Sequence, residues 1–324
     1  MNKSPQEPTV PSSASSLGSS FGETAQGADL PLPPRLDPLE WQVIGRSVRG
    51  ASHIRSGQPN QDAIHWKLAS GSPGKLILAI SDGHGSAKCF RSQYGAELAV
   101  RACIEESEVF LRPQDGSPKL SLIKREATEY LPQRIVRRWK NLVEEHLQAN
   151  PVSSQELDTA IRTSTSPTNE LELNENPLLW YGATLLAVVM TDTFSVYLQL
   201  GDGEILTVSD GGDVRRIIPP DDRLLGNETT SLCSRTAWQD FRVVFQVQYQ
   251  SAPALILLST DGYINSFTDA GQFLEVGSDL LEMIRRAGIE AVDGELQGWL
   301  AEASHQGSGD DITLGIAYRT TKSV

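Results

Sequence analysis

The chain has 324 residues, 39% hydrophobic and 21% charged, with a formal net charge of −13. That is enough apolar material for one large domain or two ordinary ones with a sizeable core, while the acid surplus disfavours non-specific binding to nucleic acid. No apolar run reaches the roughly 18 residues of a membrane span, and no basic segment followed by an apolar one marks a secretory leader at the N-terminus.

Residues 1–38 carry seven prolines and seven serines. Such a segment buries too little apolar surface to offset its ordering entropy, and a disordered tail is expected. From Trp41 the pattern changes. Strands are expected over 41–48, 63–68 and 76–81, with a loop through Ser56-Gly57-Gln58-Pro59-Asn60-Gln61-Asp62. The third strand ends in Ser81-Asp82-Gly83-His84-Gly85, so an acid and a histidine stand side by side at a rigid strand end, between glycines that let a ligand approach. Ser86 can cap a helix continuing through Tyr94, Leu98 and Ala102. A second helix is expected over 121–148, bent at Pro132, with a solvated basic face at Arg134, Arg137, Arg138 and Lys140. Residues 150–178 are polar and read as a long connecting loop.

Strands then crowd together at 183–190, 194–200, 205–209, 214–218, 241–248 and 254–259. They are rich in β-branched and aromatic residues and separated by short turns, as antiparallel hairpins are. Helices fit 272–287 and 290–304, and 312–318 closes as a last strand. Helices in two blocks around many antiparallel strands predict an α+β layered domain, two sheets with helices outside. One domain over 39–320, carrying an insert at about 105–180 and followed by a short tail at 321–324, is the expected organisation.

Acids punctuate these strands. Asp62 precedes one, Asp82-Gly83 and Asp261-Gly262 end two, Asp202 sits in a hairpin, and Asp310-Asp311 precede the last. Each Asp-Gly alone is a turn by default. Five such points in one domain are harder to dismiss, because clustered like charges repel unless a cation neutralises them. Carboxylates suit Mg²⁺ or Mn²⁺, and two such ions could clamp a phosphoryl group. No His/Cys set has zinc spacing. A structural Ca²⁺ module is poorly supported, since the acids are dispersed and not packed into one loop. The cysteines, Cys89, Cys103 and Cys233, are odd in number and form no C-x-x-C pair. They fit a reducing, cytoplasmic setting.

The ordered set Gln61-Asp62, Asp82-Gly83-His84-Gly85, Gly182-Ala183-Thr184, Gly201-Asp202, Ser259-Thr260-Asp261-Gly262 and Gly309-Asp310-Asp311-Ile312-Thr313 resembles the metal-dependent Ser/Thr protein phosphatases of type 2C. Pro59-Asn60-Gln61-Asp62 and the region after Asp221 look most like the bacterial branch. The resemblance implies a four-layer α-β-β-α sandwich and hydrolysis of a phosphoprotein, by a monomer, through metal-activated water that attacks phosphorus directly. It implies two ions, Mn²⁺ or Mg²⁺. Asp82 would bridge both, with the Gly83 carbonyl completing one coordination sphere; Asp261 and Asp310 would hold the other metal, and Asp62 would bind or orient metal-held water. His84 would be the general acid, and Asp202 would belong to a third, weaker metal site. The chain departs from the pattern in three places. Gln61 is neutral where an acid is frequent. Gly57 stands where a phosphate-binding Arg is frequent, leaving Arg55 or Arg49 as the candidate, or no Arg at all. Asn265 replaces an acid, which disfavours a third metal. The alternative reading is a phosphatase-like domain without activity that binds phosphoproteins. Pro219 to Gln239 would form a flap beside the site.

Overall fold

Strand β3 (Leu76–Ser81) is buried at all six residues, and its side chains divide by parity. Leu76, Leu78 and Ile80 face one apolar layer, while Ile77 and Ala79 face another. A strand with period two can be buried throughout only if both its faces are covered. The computed structural model, which describes residues 39–68, 74–112, 119–164, 176–221, 229–248 and 252–320, shows how both are. The expected tails at 1–38 and 321–324 lie outside the described residues.

One sheet runs β2 (Ala63–Leu68), β3, β4 (Leu185–Met190), β5 (Phe194–Leu200) and β8 (Arg242–Val247). The other runs β1 (Glu40–Val48), β10 (Ile312–Thr320), β9 (Leu255–Ser259), β6 (Glu204–Val208) and β7 (Val214–Arg216). Every pairing is antiparallel. Between the sheets lie Trp41, Leu76, Leu78, Ile80, Leu186, Val188, Ile205, Ile256 and Leu258. Outside the β3 sheet pack α2 (Ser92–Phe110), α4 (Leu131–Ala149) and the short α6 (Ala237–Asp240); outside the β9 sheet pack α8 (Ala270–Ala287) and α9 (Ile289–Gln306). The expected α-β-β-α sandwich is what the chain adopts, and no helix among the described residues is long and apolar enough to cross a membrane.

Three expectations need correction. Ser86 starts only a 3-10 turn, Ala87–Cys89, without a side-chain cap bond, and the long helix begins at Ser92. Within 150–178, Ser154–Thr163 is a helix, α5. Its Ser153/Glu156 capping box satisfies the first-turn donors, but it buries only Ala160, so no apolar period announced it. The basic face of α4 is also more than solvated. Arg134 pairs with Glu106 and Glu126, and Arg138 with Glu105 and Glu145.

The expected bend at Pro132 takes the form of a π turn, Glu126–Tyr130, joining α3 (Leu120–Arg125) to α4. Proline has no N–H and its ring crowds the carbonyl four residues back, and a wider turn relieves both. The insert then packs through Trp139, fully buried, whose indole N–H donates to the Gly95 carbonyl at 3.0 Å. Gly95 is required there: a Cβ would collide with the Tyr181 carbonyl oxygen.

Candidate metal centre

The described acids converge where both sheets end. Ser81 closes β3 and its hydroxyl donates to the Thr184 carbonyl at 2.6 Å. The next residue is locked to the same partner: Asp82 N–H donates to Thr184 Oγ1 at 3.0 Å, and Thr184 N–H to the Asp82 carbonyl at 2.8 Å. Gly83 bridges Ala183, and His84 N–H donates to the Gly182 carbonyl at 3.1 Å. Two apolar strands that cannot slip therefore fix the Asp-Gly-His segment.

From the other sheet, Asp261 opens the short helix α7 (Asp261–Ile264) directly after β9. Asn265, one turn on, donates to Asp261 Oδ2 at 3.1 Å, so the residue that departs from an acid acts as a neutral donor. Asp202 lies in the turn from β5 to β6. Oxygens of Asp82, Asp202 and Asp261 all lie within 4.8 Å of one another. Asp202 thus stands in one group with Asp82 and Asp261. Asp310 lines the same cleft outside that group.

Asp62 lies behind them, 8% exposed, with Thr260 Oγ1 donating to its Oδ2 at 2.9 Å. Its carboxyl is pushed up to about 8 by burial and by the charge of Asp311, against the hydrogen bonds from Thr313 and Thr260. Asp82 is pushed well above the carboxylate range by burial, then by Asp62 and Asp261. Burial and Asp202 raise Asp261 to about 6. Acids whose neighbours make each other hard to ionise are relieved by a bound cation. The donor set fits one, being all oxygen, as hard divalent ions take. Gln61 adds a second sign. Its Oε1 is buried, lines the cleft and has no partner among the described residues.

The cleft has a volume of about 1200 Å³. His84 lines it, and burial holds its imidazole below the usual histidine range against the pull of Asp202. Arg55, at the end of α1 (Ala51–Ser56), is exposed and does not line it. Arg49 is exposed and donates to the His53 carbonyl at 2.9 Å. Asp222 and Arg223 of the expected flap lie outside the described residues, whereas Thr229, Ser231 and Cys233 line the cleft.

Two residues were given no role by the sequence. Asp311, 4% exposed, accepts Gly50 N–H on Oδ1 at 2.6 Å, and on Oδ2 Gln61 N–H at 2.6 Å and His53 Nδ1 at 2.9 Å. That carboxylate ties the start of α1 to the residue before Asp62. Gly50 permits the approach, since a Cβ there would sit 2.6 Å from the Asp310 carbonyl oxygen. His53 lines the cleft, and its hydrogen bond to Asp311 raises its pKa. Asp311 stood in the motif beside Asp310; nothing in the sequence singled out His53.

The sequence profile of the family described as Protein phosphatase 2C matches residues 49–301. No curated protein matches the chain. Among solved structures, a bacterial serine phosphatase aligns with a TM-score of 0.53 at 13% identity, over 88% of this chain and 100% of its own. A serine-threonine phosphatase 2C from Toxoplasma gondii aligns at 0.52 and 15% identity, over 90% and 98%. PppA, a regulatory component of the type VI secretion system in Pseudomonas aeruginosa, aligns at 0.51 and 15%, over 87% and 99%. At such identities the structures speak for the fold, and the profile speaks for the family: this chain belongs to the protein phosphatase 2C family of metal-dependent Ser/Thr protein phosphatases.

Proposed function

We propose that the chain hydrolyses phosphoserine and phosphothreonine in proteins, using two divalent cations, Mn²⁺ or Mg²⁺, held in this cleft. The observation that carries the reading is the gathering of Asp82, Asp202 and Asp261 from three strand ends beside buried Asp62. Asp82 would hold both ions, with the Gly83 carbonyl on one of them, Asp261 and Asp310 on the other and Asp202 alongside. Bound there, the cations supply Lewis acidity to the phosphoryl oxygens and to a water.

The protein's own groups do the rest. Asp62, fixed by Thr260, orients the attacking water. His84 gives its proton to the departing serine or threonine oxygen, and its rigid backbone bond to Gly182 keeps it aimed. A cysteine nucleophile is disfavoured. Cys89 and Cys233 line the cleft, but burial pushes the Cys89 thiol to about 11 and raises Cys233, so neither offers a thiolate. Free, buried cysteines also fit a reducing compartment such as the cytoplasm. No observation favours the inactive alternative.

The test is hydrolysis of p-nitrophenyl phosphate and a phosphothreonine peptide with Mn²⁺, Mg²⁺, Ca²⁺ or EDTA, for the native protein and Asp82→Ala. Turnover in Mn²⁺ or Mg²⁺, lost in EDTA and in the variant, is expected. A folded, metal-loaded native protein without turnover would overturn the reading.

A further inference from the structure

A phosphoryl dianion entering this cleft meets a wall rich in acids. Among the described lining residues there is no arginine or lysine. Arg55 points to solvent, and Arg49 spends an N–H on a backbone carbonyl. Even with cations present, a three-oxygen anion is held best when a protein donor also fixes its orientation.

The group in position is His53. It lines the cleft together with Asp82, His84, Asp261 and Asp310. Its element cannot drift. Ala51 N–H donates to Ser304 Oγ at 3.0 Å, Ser52 Oγ to the Gly309 carbonyl at 2.5 Å, and Ser52 N–H to the same carbonyl at 2.8 Å. Asp311 accepts from Nδ1 and is itself fixed by two backbone N–H groups. A ring whose Nδ1 hydrogen is committed to a carboxylate presents its other nitrogen outward as the working atom. Nε2 has no partner among the described residues.

We propose that His53, oriented by Asp311, donates through Nε2 to a phosphoryl oxygen of the substrate, the task that an arginine at position 57 would otherwise perform. This rests on reading the cleft as the phosphatase site. His53 thereby becomes a substrate-binding residue, and Asp311 its positioning residue.

The experiment compares native protein, His53→Ala and His53→Arg, all loaded with Mn²⁺. Two quantities are read: kcat/KM on a phosphothreonine peptide, and the affinity for inorganic phosphate by calorimetry. Loss of one charge-assisted contact predicts a fall of about 10- to 100-fold in both for His53→Ala, with partial recovery in His53→Arg. His53→Gln replaces His53→Ala if the latter does not fold. A phosphate affinity within twofold of native in the alanine variant overturns the proposal, as does a loss of turnover with phosphate binding untouched. Absence of turnover in the native protein would defeat the phosphatase reading alone, because phosphate titration of native protein against variant still decides whether His53 binds phosphate.

Discussion

The hydroxyl of Thr260 donates to Asp62 across 198 residues of chain, and the same oxygen accepts the N–H of Thr313 at 2.9 Å. One side chain therefore joins the start of β2, the end of β9 and the start of β10 at the point where the acids meet. Thr260→Val keeps the shape and removes both bonds. It should weaken Mn²⁺ binding about 10- to 100-fold, read by calorimetry, and a native-like affinity would show that Asp62 needs no such support.

Stability without metal should depend on pH in a defined direction. Asp62 titrates at about 8 in the fold, far above an ordinary carboxyl, and Asp261 at about 6. A group raised in the folded state stabilises it at low pH, and that contribution is lost as pH rises through the folded value. The metal-free protein should therefore gain melting temperature as pH falls from about 8 towards the ordinary carboxylate range near 4. Asp82→Asn removes one of the competing charges. In EDTA near pH 8.5 it should raise Tm; in Mn²⁺ it should lower it. Scanning calorimetry with and without chelator reads both, and a flat metal-free profile would contradict the crowding of acids.

His84 as proton donor makes the leaving group the variable. His84→Gln should reduce kcat on a phosphothreonine peptide by about 10²- to 10³-fold. On p-nitrophenyl phosphate, whose phenolate departs without a proton, the loss should be several-fold at most. Equal losses on the two substrates would assign His84 a role in binding or folding.

Arg91, 5% exposed, donates to both oxygens of Glu156, to the Asn150 and Pro151 carbonyls and to the Tyr181 hydroxyl. It clamps α5 of the insert onto the segment that follows His84. Arg91→Ala should cost about 2–3 kcal/mol, less than a fully buried pair because Glu156 reaches solvent. It should also release α5, seen as faster amide exchange over 154–163. Unchanged exchange there would show that the capping box alone holds the helix.

The strands were legible because their apolar faces alternate or run continuously. Residues 63–68, 76–81 and 194–200 begin and end where the sequence pattern places them. α5 was not, since its signal is one capping box in a polar stretch and its anchor, Arg91, is 65 residues from Glu156. The acids were legible as strand-end motifs, but their grouping was not. That Asp82, Asp202 and Asp261 come within 4.8 Å of one another, with Asp310 on the same cleft, depends on how the turns fold back together. His53 carries no motif at all; a buried carboxylate 258 residues away gives it its place.

The two sheets contribute the acids unequally along the chain. Asp62 and Asp82 precede residue 164, and Asp202, Asp261 and Asp310 follow residue 176. Cutting the backbone between those points would leave β1 without β10 and β3 without β4, and each fragment with an incomplete set of ligands. Neither piece could load its ions alone. Mn²⁺-dependent turnover on mixing the halves would thus be a gauge of reassembly, silent until the last long-range strand pairs had closed.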